Sequence, residues 1–137
     1  MGFILNVEGT TLGVETIKTV DFAVSTPNDT NAKTTDVAVT ATITGKILTM
    51  LDDGTEGTVD LAKWAMITSD KAECYKNVTI QSIAAGQVVR EYTMPTAFVV
   101  DYNENYDDVE GVGTFTLVVR QKKDKIGTIT VNGGYEA

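Results

Sequence analysis

Histidine is missing from this chain, and cysteine occurs once, as Cys74. Without histidine the commonest general base is gone, and with it the usual partner of a serine or cysteine nucleophile. Triad-type hydrolysis therefore has no machinery here, and no catalytic residue is assigned. A lone cysteine cannot form an internal disulfide and fits a reducing compartment. With only Lys71, Glu73 and Lys76 near it in sequence and no base, Cys74 reads as a small, half-buried residue and not as a nucleophile. No apolar run approaches the roughly 18 residues that cross a bilayer, so membrane insertion is not expected. The opening MGFILNVEG lacks the basic region and long apolar stretch of a secretory signal, which leaves synthesis in the cytoplasm as the expectation. Positive charge is scarce too: 11 Lys and Arg stand against 19 Asp and Glu, a net charge of −8. Nucleic acid and anionic membrane surfaces are poor partners for such a chain. The single basic cluster, Arg120, Lys122, Lys123 and Lys125, reads as a solvated strand end.

What is present suits one domain, and the expectation is a single unit over residues 1–137, long enough to bury a core without disulfides or metal. The dominant signal is alternation. Phe115, Leu117 and Val119 alternate with Thr114, Thr116 and Arg120 in the run from Gly113 to Lys123, the period of a half-buried strand. Before it, Thr96 to Tyr106 is rich in β-branched and aromatic residues, with Phe98, Val100 and Tyr102 expected on one face, and the acidic stretch Asp107 to Gly113 joins the two as a hairpin. Phe3, Leu5 and Val7 mark a first strand that breaks at Glu8-Gly9. Leu12 to Val24 alternates unevenly and predicts a bulge or bend near Thr16 to Thr19. Asp36 to Thr49 is the cleanest alternation, with Val37, Val39, Ala41 and Ile43 on one face and Ala38, Thr40, Thr42 and Thr44 on the other. Tyr75 to Ile83 and Gln87 to Met94 form a second hairpin about Ala84-Ala85-Gly86, which Pro95 should end, and Gly127 to Asn132 adds a short last strand. One helix is expected, at about 58–69 with Thr58 or Asp60 as its cap, burying a stripe of Leu61, Trp64, Ala65 and Thr68. The fold class is therefore all-β, an antiparallel β-barrel or sandwich of about eight strands with one short flanking α-helix.

The run AFVVDYNEN, the acidic turn and GVGTFTLVVRQKKDK, preceded by the Trp64 helix and the hairpin KNVTIQSIAAGQVVREY, resembles the inner-tube proteins of contractile injection systems. The similarity extends from Thr35 to Gly134 in the order and length of elements, and the nearest kin would be the Hcp-like tube subunits of clostridial phage-tail-like particles. The resemblance implies a structural subunit that assembles with itself into rings, six-membered in the family, which stack into a tube. It also implies sheath and baseplate proteins as further partners, and an extracellular or secreted location once the particle is assembled.

Two stretches suit such assembly. Ser25 to Thr35 is polar and too long for a tight hairpin, and Pro27, Asn28, Asp29, Asn31 and Lys33 are candidate contacts of an arm that orders on a neighbouring subunit. The Thr40, Thr42, Thr44 face is uncharged, whereas a freely solvated strand face usually carries Lys or Glu; it suits contact with another protein layer or a bland lumen wall. Asp101, Asn103 and Asn105 match the first three ligand positions of an EF-hand loop, but Tyr106 replaces its glycine, Val112 its final Glu, and the flanks read as strands. Gly54 and Gly57 lack the Lys-Ser/Thr pair of a phosphate-binding loop. No metal or cofactor is assigned and no enzyme is expected. The rival reading is a solitary β-sandwich ligand-binding module using the loops Ser25 to Thr35 and Asp101 to Glu110, which would need exposed aromatics, with Tyr102, Tyr106 and Tyr135 the candidates.

Overall fold

The structure is a computed structural model that describes residues 1–26, 37–47, 55–108 and 113–133, with side chains from residue 58 onward in the helix. Strands dominate it: β1 Gly2–Val7, β2 Thr10–Leu12, β3 Ile17–Ser25, β4 Ala38–Ile47, β5 Lys76–Ala84, β6 Gln87–Asn105, β7 Gly113–Gln121 and β8 Thr130–Gly133, with one helix, α1 Thr55–Ala65. Short 3-10 turns cover Ala72–Cys74 and Lys123–Thr128. All eight strands join one antiparallel sheet in the order β2-β1-β5-β6-β7-β4-β3, with β8 on the side of β6. The sheet is all-β as expected, but its ends are not hydrogen-bonded to each other.

Its ends nevertheless meet, for a covalent reason. β2 and β3 lie at opposite ends of the strand order yet are consecutive in the chain, joined only by residues 13–16, so the sheet must roll until its two edges approach. The turn holds itself through Thr16 and Ile17 amides bonded to the Gly13 carbonyl and is pinned to β4 by the Lys46 amide on the Thr16 carbonyl at 2.7 Å. Gly45 permits that approach: a Cβ there would lie 2.6 Å from both the Thr16 carbonyl and the Phe115 ring. The register slips between Ile17 and Thr19, where the uneven alternation predicts a bulge. Across the rolled interior, Phe22 of β3 stacks on Tyr92 of β6, with ring centroids 4.0 Å apart.

Directly paired residues share a face, so the register identifies the core. Leu5 pairs with Leu12 and Ile80, Val78 with Val7 and Met94, Ile43 with Leu117, and Ala41 with Val119; all are buried. The alternation in β4 and β7 is realised: Val39, Ala41, Ile43, Phe115, Leu117 and Val119 point inward, while Thr40, Thr42 and Thr44 are half-buried on the other face. Two-residue turns with positive φ at both positions, Glu8-Gly9 and Ala85-Gly86, close the β1–β2 and β5–β6 hairpins, the geometry that matches strand twist.

Three expectations are corrected. The helix spans Thr55–Ala65, beginning earlier and ending earlier than 58–69, so Thr58 is a buried residue within it and not its cap, and Thr68 lies exposed beyond it. Pro95 does not end a strand. β6 continues through it for 19 residues, because positions 95 and 96 are paired on neither side: on one, β8 reaches Thr93 and β7 starts at Ala97, and on the other the β5 register shifts between the Val78–Met94 and Lys76–Ala97 pairs. No ladder bond is asked of the proline, which is where a strand tolerates one. Finally, Phe98, Val100 and Tyr102 do not share a face. Val99 pairs with Val119 and Asp101 with Val118, so Val100 is an extra residue in a bulge that reverses the parity; Val99 and Tyr102 pack against the core, and Val100 is pushed out.

The helix closes the space beside β6 and β2, with Leu61 and Trp64 buried against the sheet and Asp60 accepting a hydrogen bond from Thr10 at 3.1 Å. Trp64 Nε1 donates to the Cys74 carbonyl at 2.8 Å in a buried setting, and Cys74 itself is buried. Trp64→Ala should therefore cost about 3–5 kcal/mol, the range for emptying a large aromatic site in a core. Trp64→Phe, which keeps most of the packing but orphans the Cys74 carbonyl, should cost about 1–3 kcal/mol. Urea unfolding of the two variants separates the terms; equal and negligible losses would mean that α1 does not anchor the sheet.

Candidate assembly surface

The outward face of β3, β4, β7 and the second half of β6 carries the sequence-predicted threonines, and the ladder arranges them in rows. One row runs Thr19, Thr44, Thr116 and Asn103, the next Asp21, Thr42, Val118 and Asp101, and a third Ala23, Thr40, Arg120 and Phe98. Alternation alone puts these residues outside, because their neighbours are the core. Several of the polar groups satisfy one another: the Thr19 and Thr44 hydroxyls share a hydrogen bond, and Arg120 Nε donates to Thr40 Oγ1 at 3.3 Å. Within these three rows the charged residues are Asp21, Asp101 and Arg120, and Lys46, paired with Thr114, lies beyond them near the end of β4.

Thr40, Thr42 and Thr44 are thus brought together on one surface. Pro27, Asn28, Asp29, Asn31 and Lys33 lie outside the described residues. Their segment leaves β3 at Ser25 and returns to β4, where Ser25 pairs with Ala38, so the stretch joins the two strands of a long hairpin at one end of this face. Beside it, β3 is an edge strand of nine residues with no partner on its far side among the described residues, and β2 is the edge at the other end of the order. Unpaired strand edges are templates for pairing with another chain.

Sequence reasoning did not single out Gln121. It is buried at the end of β7, where its Oε1 accepts from the Thr96 amide at 3.2 Å and its Nε2 donates to the Lys125 carbonyl at 3.0 Å. With the Lys122 amide on the Thr96 carbonyl at 2.8 Å, it satisfies the backbone at the gap beside Pro95 and ties the 3-10 turn to the sheet. Its inward position in the alternation of Leu117 and Val119 was the available signal: a Gln there must find buried partners.

The EF-hand-like triplet lies on a strand. Asp101, Asn103 and Asn105 point outward at alternate positions of β6, about 7 Å apart at each step, too spread to converge on one cation. Among the described residues no group of three or more potential ligands is placed to hold a metal. Beside the triplet, Glu104 is gripped by two phenols: Tyr102 donates to Oε2 at 2.6 Å and Tyr106 to Oε1 at 2.8 Å. The Tyr106 ring also covers Gly113, where a Cβ would lie 2.6 Å from it. Tyr102 is half-buried near Phe115, Tyr106 is exposed, and Tyr135 is outside the described residues, so the ligand-module reading has one described exposed tyrosine to use.

No protein-family profile matches the chain, and no curated protein matches it in sequence. Solved structures do match its fold. Hcp1 from Flavobacterium johnsoniae aligns over 100% of both chains with a TM-score of 0.65 and 18% identity. A chain of the sheath-tube complex of PVC, an extracellular contractile injection system, aligns over 97% of this chain and 89% of its own length, with a TM-score of 0.57 and 12% identity. Hcp1 of E. coli EAEC 042 aligns over 98% and 99%, with a TM-score of 0.57 and 11% identity. The chain has the fold shared by Hcp1 and the tail-tube proteins of contractile injection systems.

The Glu104 grip raises both phenol pKa values. Burial pushes Tyr102 well above the ordinary tyrosine value, with the hydrogen bond to Glu104 adding to it, and for Tyr106 the bond to Glu104 is the main cause. Raised folded-state values mean that whatever stability these protons contribute is complete below pH about 10, the unfolded tyrosine value, and is lost as pH rises past it. Alkaline titration followed by tyrosinate absorbance should show Tyr102 and Tyr106 ionising above the ordinary tyrosine range. Glu104→Gln should bring both down; an unchanged titration would mean that the carboxylate does not hold them.

Proposed function

We propose that this chain is a structural subunit of the inner tube of a contractile injection system or phage-tail-like particle, of the clostridial type, and that it is not an enzyme. The observation that carries the proposal is the fold agreement with Hcp1 over the whole of both chains, at a TM-score of 0.65. In this reading residues 1–137 act as one domain, copies assemble into rings, six-membered as the resemblance implies, and the rings stack. Sheath and baseplate proteins are the further partners, in keeping with neighbours drawn from a sheath-tube complex and a baseplate. The subunit is made in the cytoplasm and ends outside the cell within the particle.

The physical case is that such a subunit needs rigidity and matched surfaces, not chemistry. A rolled sheet with a filled core resists deformation, while the free β3 edge offers backbone groups to a neighbour. Thr40, Thr42 and Thr44, with Pro27, Asn28, Asp29, Asn31 and Lys33 of the connecting segment, are the proposed subunit contacts. The outward threonine face tolerates a neighbouring layer because most of its side chains lack charge to desolvate.

Light scattering and electron microscopy of the purified chain should show closed rings or tubes; a strictly monomeric particle across a range of salt and pH would overturn the proposal. Shortening Ser25 to Thr35 to a Gly-Asn turn, which keeps the core-packed Val37, should preserve the circular-dichroism spectrum and melting midpoint, since loop length has a weak effect on stability, and abolish assembly. Normal assembly by that variant would move the contacts to the β3 edge and the threonine face.

A further inference from the structure

An open groove of about 500 Å³ runs between α1 and the second half of β6. Among the described residues the helix lines this side with the small side chains of Ala62 and Ala65, which leave the groove open. Two apolar side chains are held out into the gap: Met66, directly after the helix and 73% exposed, and Val100, 44% exposed. The bulge of β6 is what aims Val100 there, since an unbroken alternation would keep Val99 and Val100 on opposite faces of a strand in continuous register. Asp101 and Glu104 line the same groove, and among the described residues no Lys or Arg does. Glu104 is fixed in place by its two tyrosine hydroxyls, while Lys63, the lysine of α1, lines the separate cleft toward β1 and β2.

An apolar rail beside a fixed acidic rim is the complement of an amphipathic, basic peptide segment. We infer that this groove docks a positively charged amphipathic segment of a partner protein, seating an apolar side chain between Met66 and Val100 and Lys or Arg side chains against Asp101 and Glu104. The partner is a different protein and not a second copy. The one basic cluster of this chain sits at a paired strand end, with Arg120 bonded to Thr40 and Lys122 to Asp124, and does not project as an amphipathic segment. This inference does not depend on how copies of the chain assemble.

The test uses the full chain with isotope-labelled methionine methyl groups. Met66 reports on the groove, and Met94, fully buried, is the internal reference. Titration with a synthetic Leu/Lys amphipathic peptide should move the Met66 resonance saturably and leave Met94 in place, while the Leu/Glu peptide of equal length should move neither. The double variant Asp101→Asn, Glu104→Gln keeps an acceptor for the tyrosines and should bind the Leu/Lys peptide at least about tenfold more weakly; circular dichroism checks its fold, and if it fails to fold, Asp101→Asn alone should weaken binding in the same direction. A Met66 resonance that does not move, equal binding of both peptides, or undiminished affinity in the charge variants would overturn the inference. So would a Met66 shift produced by raising the concentration of the protein alone, which would make the occupant a second copy.

Discussion

Every buried amide and carbonyl of a strand needs a partner, and in this protein that requirement falls hardest on β6. Its 19 residues outrun any single neighbour, so β5 pairs it from Gln87 to Ala97 on one side while β8 and then β7 serve the other. The change of partner happens at Pro95 and Thr96. Proline has no amide to leave unsatisfied, and the groups of Thr96 are taken up by Gln121 and Lys122. Because β5 leads back to β1 and β2 while β7 leads to β4 and β3, β6 is the join between the two halves of the rolled sheet. Loss of order there would separate the faces that Phe22 and Tyr92 now bridge.

The same strand sorts the surface. Before the bulge its inward residues are Met94, Ala97 and Val99, and after it Tyr102; the displaced Val100 goes to the helix side. A single extra residue thus sets the threonine rows beside an acidic, partly apolar groove, with Asp101 at the border of both. The two surfaces have different demands: close approach of another layer suits the first, where hydroxyls are paired within the sheet, and an oppositely charged chain suits the second.

The free edges are compatible with this division. β3 is unpaired on its outer side among the described residues, yet it carries Lys18 and Asp21, charges of the kind that discourage indiscriminate strand pairing. Any chain that pairs with this edge would have to meet it in the right register. The fold agreement with Hcp1 and with a chain of a sheath-tube complex, at identities of 18% and 12%, fits a protein whose sequence is constrained more by packing geometry than by any individual side chain.

Local periodicity by itself determined the strands, their inward faces in β4 and β7, the bend near Thr16 and the burial of Leu61 and Trp64, because strand alternation and the helical stripe are written within a few residues. The absence of histidine and the sparse positive charge likewise needed no structure to narrow the chemistry. Tertiary structure alone decided what depends on distant partners. Pro95 ends a strand by local rules and survives inside one because β8 and β7 leave a gap on one side of it and the β5 register shifts on the other. Tyr102 turns inward, away from the face of Phe98, because Val119 and Val118 impose a register that no window of β6 contains. Gln121 looks like one more polar residue at a strand end, and is buried because Thr96 and the turn after β7 close around it. The roll of the sheet, too, follows from which strands end up at its edges: residues 13–16 are an ordinary turn until β2 and β3 become the two ends it must hold together.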